Sequence, residues 1–410
     1  MNVRRRIAVV AVGLSCFSFG AAPVARAATP RPPQPAPLER IPIETLRNLA
    51  PILRGGDIAL IESGEKGALK QLTTLSLAAA PPEVVREVVA HPERYREFVR
   101  NTKECTVKQL PDGALWHQYT VSYGIYTVDG RHQYTFGPPP EEGMPGVIEM
   151  HDPDDGGVRH FRWEFIPALG GTLVVLYGYQ QIPRDNLLDR FLRAAPTLEH
   201  GLALITQMTL ILAMKTRAEE LAGRPALQPG KASGSYAPLL ERGVVAMFRT
   251  AGGRLSDISL VARSSARPEV LTKVAGEPNG WSSFIPTVAR STPMGTKEGV
   301  PAVEVEQSLP LVSWTSTFGF RGDGKAVDLF GLGGDLKGGR MRWDVRPIAT
   351  SKTEVVLRTV MRYDVGSLIV RQLYKLEPFF EYGINVGLGL VMLEGVRGRA
   401  ETLTRTQATR

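Results

Sequence analysis

Histidine is the residue type here most able to move a proton or ligate a metal near neutral pH. The chain has six: His91, His117, His132, His151, His160 and His200. No Cys-x-x-Cys and no His-Glu-x-x-His occurs among them, so the sequence calls for no metal and no other cofactor. Glu199 and His200 stand together in an apolar stretch, and Glu381 and Tyr382 repeat the pair 182 residues later. A carboxylate under an apolar lid can act as an acid or base with a raised pKa. The plainer reading is a solvated charge or a salt bridge to arginine. His200 and Tyr382 likewise offer a polar tip to a ligand head group, against the reading that each satisfies a nearby backbone group. Two other strings read as ordinary structure. Arg321-Gly322-Asp323 sits at a hairpin turn, and the glycines from Gly331 to Gly339 lead into a strand, without the helix that phosphate binding needs.

The elements that must hold these residues occur twice. Pro196 and Pro378, Gly201 and Gly383, and Glu219 and Glu401 are all 182 residues apart, in two long apolar helices. Upstream, Pro82-Glu83-Val84-Val85 matches Pro268-Glu269-Val270-Leu271 at 186, and the match runs on through Tyr95 and Trp281, Phe98 and Phe284. Recurrence in register over such lengths means a duplicated unit. Each unit opens with a hairpin (58–61 with 69–79; 244–248 with 255–262), then a helix with proline in its first turn. Six strands follow, near 103–109, 115–123, 125–136, 147–151, 158–166 and 172–182, and again near 287–293, 301–309, 312–321, 325–331, 339–346 and 353–363. The turns between them are short and rich in Gly, Pro and Asp, which implies antiparallel pairing. Residues 43–53 read as a short helix.

Alternation assigns the faces. Phe161, Trp163 and Phe165 share one side of their strand, with His160, Arg162 and Glu164 on the other. Met341, Trp343 and Val345 repeat the pattern against Arg342 and Asp344. Unpaired charge is costly to bury, so water is expected on the charged side and the tryptophans inside. By the same rule Val174, Leu176, Val355 and Leu357 point inward. Trp314, Phe318 and Phe320 form a comparable set, as do Tyr119, Val121 and Tyr123. The first long helix has two apolar stripes, Leu202, Ile205, Leu212 and Leu204, Met208, Ile211, where a surface helix has one. Its back must therefore meet the other unit, a void or lipid. The second long helix carries Gly383, Gly387, Gly389 and Gly395, which points to close backbone packing or to a helix able to open, since each glycine costs about 0.8–1 kcal/mol of helix stability.

Residues 1–27 read as a secretory signal peptide: Arg4-Arg5-Arg6, an apolar run from Ile7 to Gly20, and Ala25-Arg26-Ala27 as the cleavage site. Acylation at Cys16 is disfavoured by Gly13 three places before it. The expectation is an exported protein, periplasmic or secreted. A proline-rich tether covers 28–42, the first unit 43–222, a linker 223–241 and the second unit 242–405. The whole chain has 49 Lys+Arg and 41 Asp+Glu, net +8. Four arginines lie in 1–27, so the remainder is close to +4, with no basic stripe, and nucleic acid is excluded as a partner. Past residue 27 only Cys105 remains, so no internal disulfide forms.

The hairpin, the proline-led helix, the antiparallel strands and the long terminal helix, on Pro82-Glu83-Val84-Val85…Tyr95…Phe98 and Pro268-Glu269-Val270…Trp281…Phe284, resemble the START-like (SRPBCC) superfamily, the polyketide cyclase and lipid-transport group. The resemblance spans most of 57–222 and 243–405. It implies an α+β fold of two tandem helix-grip domains, each a curved antiparallel sheet wrapped around a long C-terminal helix. In that group the sheet and helix enclose a cavity for a lipid, sterol, quinone or polyketide; the fold does not choose among them. The expected ligand-binding residues are Tyr119, Tyr123, Phe161, Trp163, Phe165, Val174, Leu176 and His200 in the first unit. In the second they are Trp314, Phe318, Trp343, Val355, Leu357 and Tyr382. The leading expectation is a carrier of a hydrophobic small molecule, with transient membrane contact, and not an enzyme. The alternatives are an aromatase/cyclase-like enzyme acting in the first unit, or an interaction module with filled cavities. The sequence leaves the oligomeric state open.

Overall fold

The computed structural model describes residues 37–122, 127–141, 144–152, 159–180, 197–225, 227, 234–251, 254–309, 312–348, 352–360 and 380–408. One series of elements occurs twice. The first copy comprises α1 (Ile43–Leu49), β1 (Asp57–Ser63), β2 (Leu69–Ala78), α2 (Pro82–Ala90), α3 (Tyr95–Phe98), β3 (Thr102–Gln109), β4 (Leu115–Ser122), β5 (Thr127–Phe136), β6 (Gly146–His151), β7 (Arg159–Ala168), β8 (Gly171–Gln180) and α4 (Thr197–Ala222). The second comprises β9 (Val244–Ala251), β10 (Arg254–Ser264), α5 (Pro268–Gly276), β11 (Val288–Lys297), β12 (Val300–Leu309), β13 (Val312–Gly322), β14 (Ala326–Gly334), β15 (Arg340–Pro347), β16 (Thr353–Val360) and α6 (Phe380–Ala408). Pro82 and Pro268 occupy the first helical turn of α2 and α5, where no intrahelical donor is lost.

Each chain segment leaves its hairpin, crosses to the far edge through the proline-led helix, and meanders back strand by strand. The first copy therefore runs β1-β2-β8-β7-β6-β5-β4-β3, all antiparallel, and the second repeats that order. The two sheets are also joined. β1 pairs antiparallel with β9, Ala59 opposite Ala246, giving one sixteen-stranded sheet with β3 and β11 at its ends. Because the joint is central, it is covered on both faces. On the outer face Ile58, Leu60, Leu75, Leu77, Val245 and Val261 form a second core beneath Leu46 and Leu49 of α1 and Leu239 and Leu240 ahead of β9.

Residues 39–41 also lie on that outer face. Ile41 N donates to Tyr177 Oη (3.2 Å), and Glu39 exchanges two 2.8 Å hydrogen bonds with the Gln71 side chain. Here the structure corrects the expectation that the charged side of β7 is solvated. Glu164 is 1% exposed. It can be buried because Arg40 and Arg162 reach it at 2.6 and 2.8 Å, so the charge is not left unpaired. His160, on the same side, is half-buried, and burial lowers its pKa.

The inner face carries α4 and α6, side by side. Trp163 and Trp343 are 1% and 0% exposed, inside as alternation requires. α4 is long and apolar enough to cross a bilayer, but 67% of that window is buried within the protein, as suits a core helix. Its second stripe meets the other copy. A Cβ built on Gly201 would overlap the Gly383 carbonyl, and one on Gly383 would overlap Ile205 and Gly201 O. Gly383 of α6 is thus explained by close packing, as is Gly387, whose Cβ would stand 3.2 Å from Leu198 Cδ2. Gly389 and Gly395 serve the same end elsewhere, with Leu260 and Ile285 at 2.6 and 2.9 Å from where a Cβ would stand.

Candidate functional site

Inner-face residues of β4 and β5 converge beside α4. Alternation turns His117 and Tyr119 of β4 inward, with His132 and Tyr134 of β5. The register sets His117 opposite His132, and Tyr119 opposite Gly130. Gly130 is needed there, because any Cβ would fall within the Tyr119 ring. β6 and β7 add Met150 and Phe161. Tyr95 of α3, Val99 and Thr102 close one side, and Thr206, Thr209 and Leu210 of α4 close another, with Val121 at the margin. Together they enclose a cavity of about 50 Å³.

The polar residues of α4 divide by face. Gln207 faces the sheet, accepting from Thr74 Oγ1 (3.3 Å) and donating to Leu72 O (3.3 Å). Thr209 Oγ1 donates to its own helix at Ile205 O (2.7 Å). The rings on the cavity wall touch in series. Centroids are 5.7 Å apart for Tyr95 and His117, 5.2 Å for His117 and Tyr119, 5.1 Å for Tyr119 and His132, and 5.6 Å for His132 and Phe161.

His117 is held on both nitrogens. Nε2 lies 3.0 Å from Cys105 Sγ, and Nδ1 lies 3.4 Å from Tyr134 Oη. The Cys105 thiol donates to Pro92 O at 2.7 Å, so its sulfur is left to accept from Nε2–H. Nδ1 faces the Tyr134 hydroxyl, which also bonds that of Tyr95. Tyr95 Oη donates to Val89 O at 2.7 Å. Burial sets the protonation states. It pushes the His117 pKa down to about 4, with Glu93 weakly opposing, and the Cys105 thiol up to about 11, with Glu93 adding. It also raises the hydroxyls of Tyr95 and Tyr134. No Asp, Glu, Lys or Arg lines the cavity, and His117 in its wall is neutral at neutral pH. Cys105 stays a thiol and is no nucleophile under those conditions.

Of the residues singled out from sequence, Tyr119 and Phe161 line this cavity. Trp163, Phe165, Val174, Leu176, Phe318, Trp343, Val355, Leu357 and Tyr382 lie in the packed inner core. Trp163 Nε1 donates to Met150 Sδ (3.1 Å), and the Tyr382 ring lies 5.4 Å from that of Phe248. Trp314 is half-buried and donates to Gln307 Oε1 (2.7 Å). Tyr123 lies outside the described residues. His200 is 1% exposed near the β1–β2 turn. Burial holds its pKa down to about 4, and the Gly67 backbone beside it offers a polar contact, not a hydrogen bond of good geometry. Glu199 and Glu381 are buried at the start of their helices, neither solvated nor part of the cavity wall. Asp323 Oδ1 accepts from Lys325 N and Ala326 N, so the Arg-Gly-Asp string is a turn. Among the described residues no group of His, Cys, Asp and Glu is placed to hold a metal ion.

Sequence reasoning missed His117, His132, Tyr134 and Tyr95 as a set. The signal was available: His117 and Tyr119, and His132 and Tyr134, share faces on strands that adjoin. On the corresponding inner face of the second copy stand Val303, Val305 and Phe318.

Each copy has a helix-grip fold, an antiparallel sheet with a long terminal helix on its inner face. The assignment rests on the element order, the meander and the terminal helix on the inner face. No protein-family profile matches the chain, and no curated protein matches it. Among solved structures it is similar to the di-domain aromatase/cyclase StfQ from the steffimycin biosynthetic pathway. That match has 15% identity and a TM-score of 0.27, over 80% of this chain and 98% of that one. The ZhuI aromatase/cyclase from Streptomyces sp. R1128 matches at 15% identity and a TM-score of 0.31, over 35% and 93% of the two chains. A START superfamily protein from Mycobacterium smegmatis matches at 14% and 0.27, over 36% and 99%.

Proposed function

We propose that this chain is an exported binding protein that holds an uncharged, largely apolar small molecule in the first copy, between β4–β7 and α4. The observation that carries the reading is the ring-lined cavity without Asp, Glu, Lys or Arg in its wall, in which Tyr119 and His132 stand among apolar side chains. Binding there draws on buried apolar area, about 25 cal/mol per Å², with a few polar groups fixing orientation. At about 50 Å³ the cavity holds a few waters, whereas ligand sites span about 300–1,000 Å³. Uptake therefore displaces the side chains of Leu210, Met150 and Val99. Export rests on the signal-peptide pattern and is tested by the N-terminus of the protein recovered outside the cytoplasm.

The decisive experiment is mass spectrometry of an organic extract of the purified protein, with a binding screen of uncharged lipids, quinones and aromatics. An apolar molecule is expected in the extract, and Leu210→Trp, which fills the cavity, should abolish its retention. An empty extract together with no binding in the screen would sink the reading. One observation favours a second reading, cyclase-like catalysis in the first copy: a neutral His117 beside the Tyr134 hydroxyl. It requires that ligand mass or connectivity change on incubation with the protein.

A further inference from the structure

We infer that the second copy sets the width of the first-copy cavity, through the place where α4 rests on α6; this builds on the reading of that cavity as the binding site. α4 has two adjoining faces in use. One presents Thr206, Thr209 and Leu210 to the cavity. The other presents Gly201 and Ile205 to α6, at Gly383 and Gly387. Gly201 and Gly383 are equivalent residues of the two copies, so the crossing lies on the same local twofold that pairs β1 with β9.

The contact is backbone on backbone. A Cβ on Gly201 would overlap the Gly383 carbonyl oxygen and stand 3.1 Å from Gly387 Cα. With nothing compressible between the helices, α4 cannot retreat toward α6. α6 is itself fixed from behind, where Gly389 sits on Leu260 of β10 and Gly395 on Ile285. Added bulk at the crossing therefore drives α4 the other way, toward β4 and β5. Gly383 and Gly387 are positioning residues: they touch none of the cavity, yet they decide where its helical wall stands.

Three single substitutions test this. Gly383→Ala places a methyl group against Ile205 and Gly201 O. Gly387→Ala is milder, with Leu198 Cδ2 at 3.2 Å from the new Cβ. Gly398→Ala is the control, since it makes the same helix substitution on α6 but its Cβ would meet nothing within 4 Å. The first readout needs no ligand: NMR contacts from the methyls of Thr206 and Leu210 to the rings of Tyr119 and His132. Gly383→Ala should strengthen these contacts and shift the ring signals, Gly387→Ala should do so less, and Gly398→Ala should leave them in place.

The second readout is binding of the uncharged dye Nile red, which should weaken several-fold in the same order. Unchanged ring signals in both crossing variants would overturn the inference, as would equal shifts in Gly398→Ala. If Gly383→Ala fails to fold, the comparison of Gly387→Ala with Gly398→Ala decides. Shifted signals in a protein whose wild type binds no dye would support the mechanical coupling and count against the binding reading.

Discussion

A buried imidazole must be neutral or paired, and His117 is neutral. Its two neighbours, a thiol and a phenol, are themselves uncharged, and burial outweighs the pull of the Glu93 carboxylate on a proton. His200 reaches the same state by burial alone. Both have pKa values near 4 in place of the ordinary 6.5. The sign follows from linkage: the unfolded chain takes up protons as pH falls through 6.5, while the folded protein does not until about 4. Stability is therefore full above pH 6.5 and is lost as pH falls from 6.5 toward 4, by at most about 3 kcal/mol for each ring. Denaturant midpoints between pH 7 and 5, a range above most carboxylate titration, should fall in the wild type. His200→Gln and His117→Gln should each show a shallower fall, and equal slopes in all three proteins would exclude this account.

At the scale of elements, the recurring residues prove to be fasteners. Glu219, near the end of α4, accepts from Ala79 N at 2.8 Å, and Glu401 on α6 accepts from Ser264 Oγ and Ser265 N at 2.9 and 3.1 Å. Each ties a terminal helix to the turn that launches the proline-led helix of its own copy. Thr172 and Thr353 hold the same turns, donating to Ala80 O and Ala266 O at 2.6 Å. Arg162 bridges Glu149 and Glu164 as Arg342 bridges Asp328 and Asp344. Glu219→Ala leaves the buried Ala79 N–H without its acceptor, so a loss of about 1–3 kcal/mol is expected from chemical unfolding. Glu401→Ala should cost a similar amount. Glu220→Ala, next door but exposed and, among the described residues, paired with Arg217, should stay within about 0.5 kcal/mol. A Glu220→Ala loss as large as that of Glu219→Ala would show that helix propensity, not the fastener, is being measured.

For the whole molecule, the decisive feature is the joint between β1 and β9, with α4 on α6 above it. Neither copy has a free inner edge, and the strands on either side of the joint are buried on both faces. The described body should therefore unfold in a single transition. Ala246→Pro puts proline in the middle of the sheet, where it removes a ladder donor and is not tolerated. It should unfold both copies, seen as loss of near-ultraviolet dichroism and rapid proteolysis on both sides of residues 223–241. A protease-resistant first copy surviving in that variant would show that the two fold separately.

The duplication, the order of elements and the inward tryptophans were legible in the chain, because periodicity and recurrence are local properties. Alternation at 161–165 and 341–345 needs no knowledge of the rest of the fold, and proline in the first turn of α2 and α5 announces itself. The cavity was not legible. Alternation names a face, but whether an inward ring packs, like Trp163, or borders a void, like Tyr119, depends on how residues from β4, β5, β7, α3 and α4 fill volume together. The fate of Glu164 was hidden for a similar reason, since its partner Arg40 is 124 positions away. The joint between the copies was hidden most completely. Every strand edge offers the same backbone donors and acceptors whatever its side chains, so only the assembled sheet could decide that β1 would end against β9.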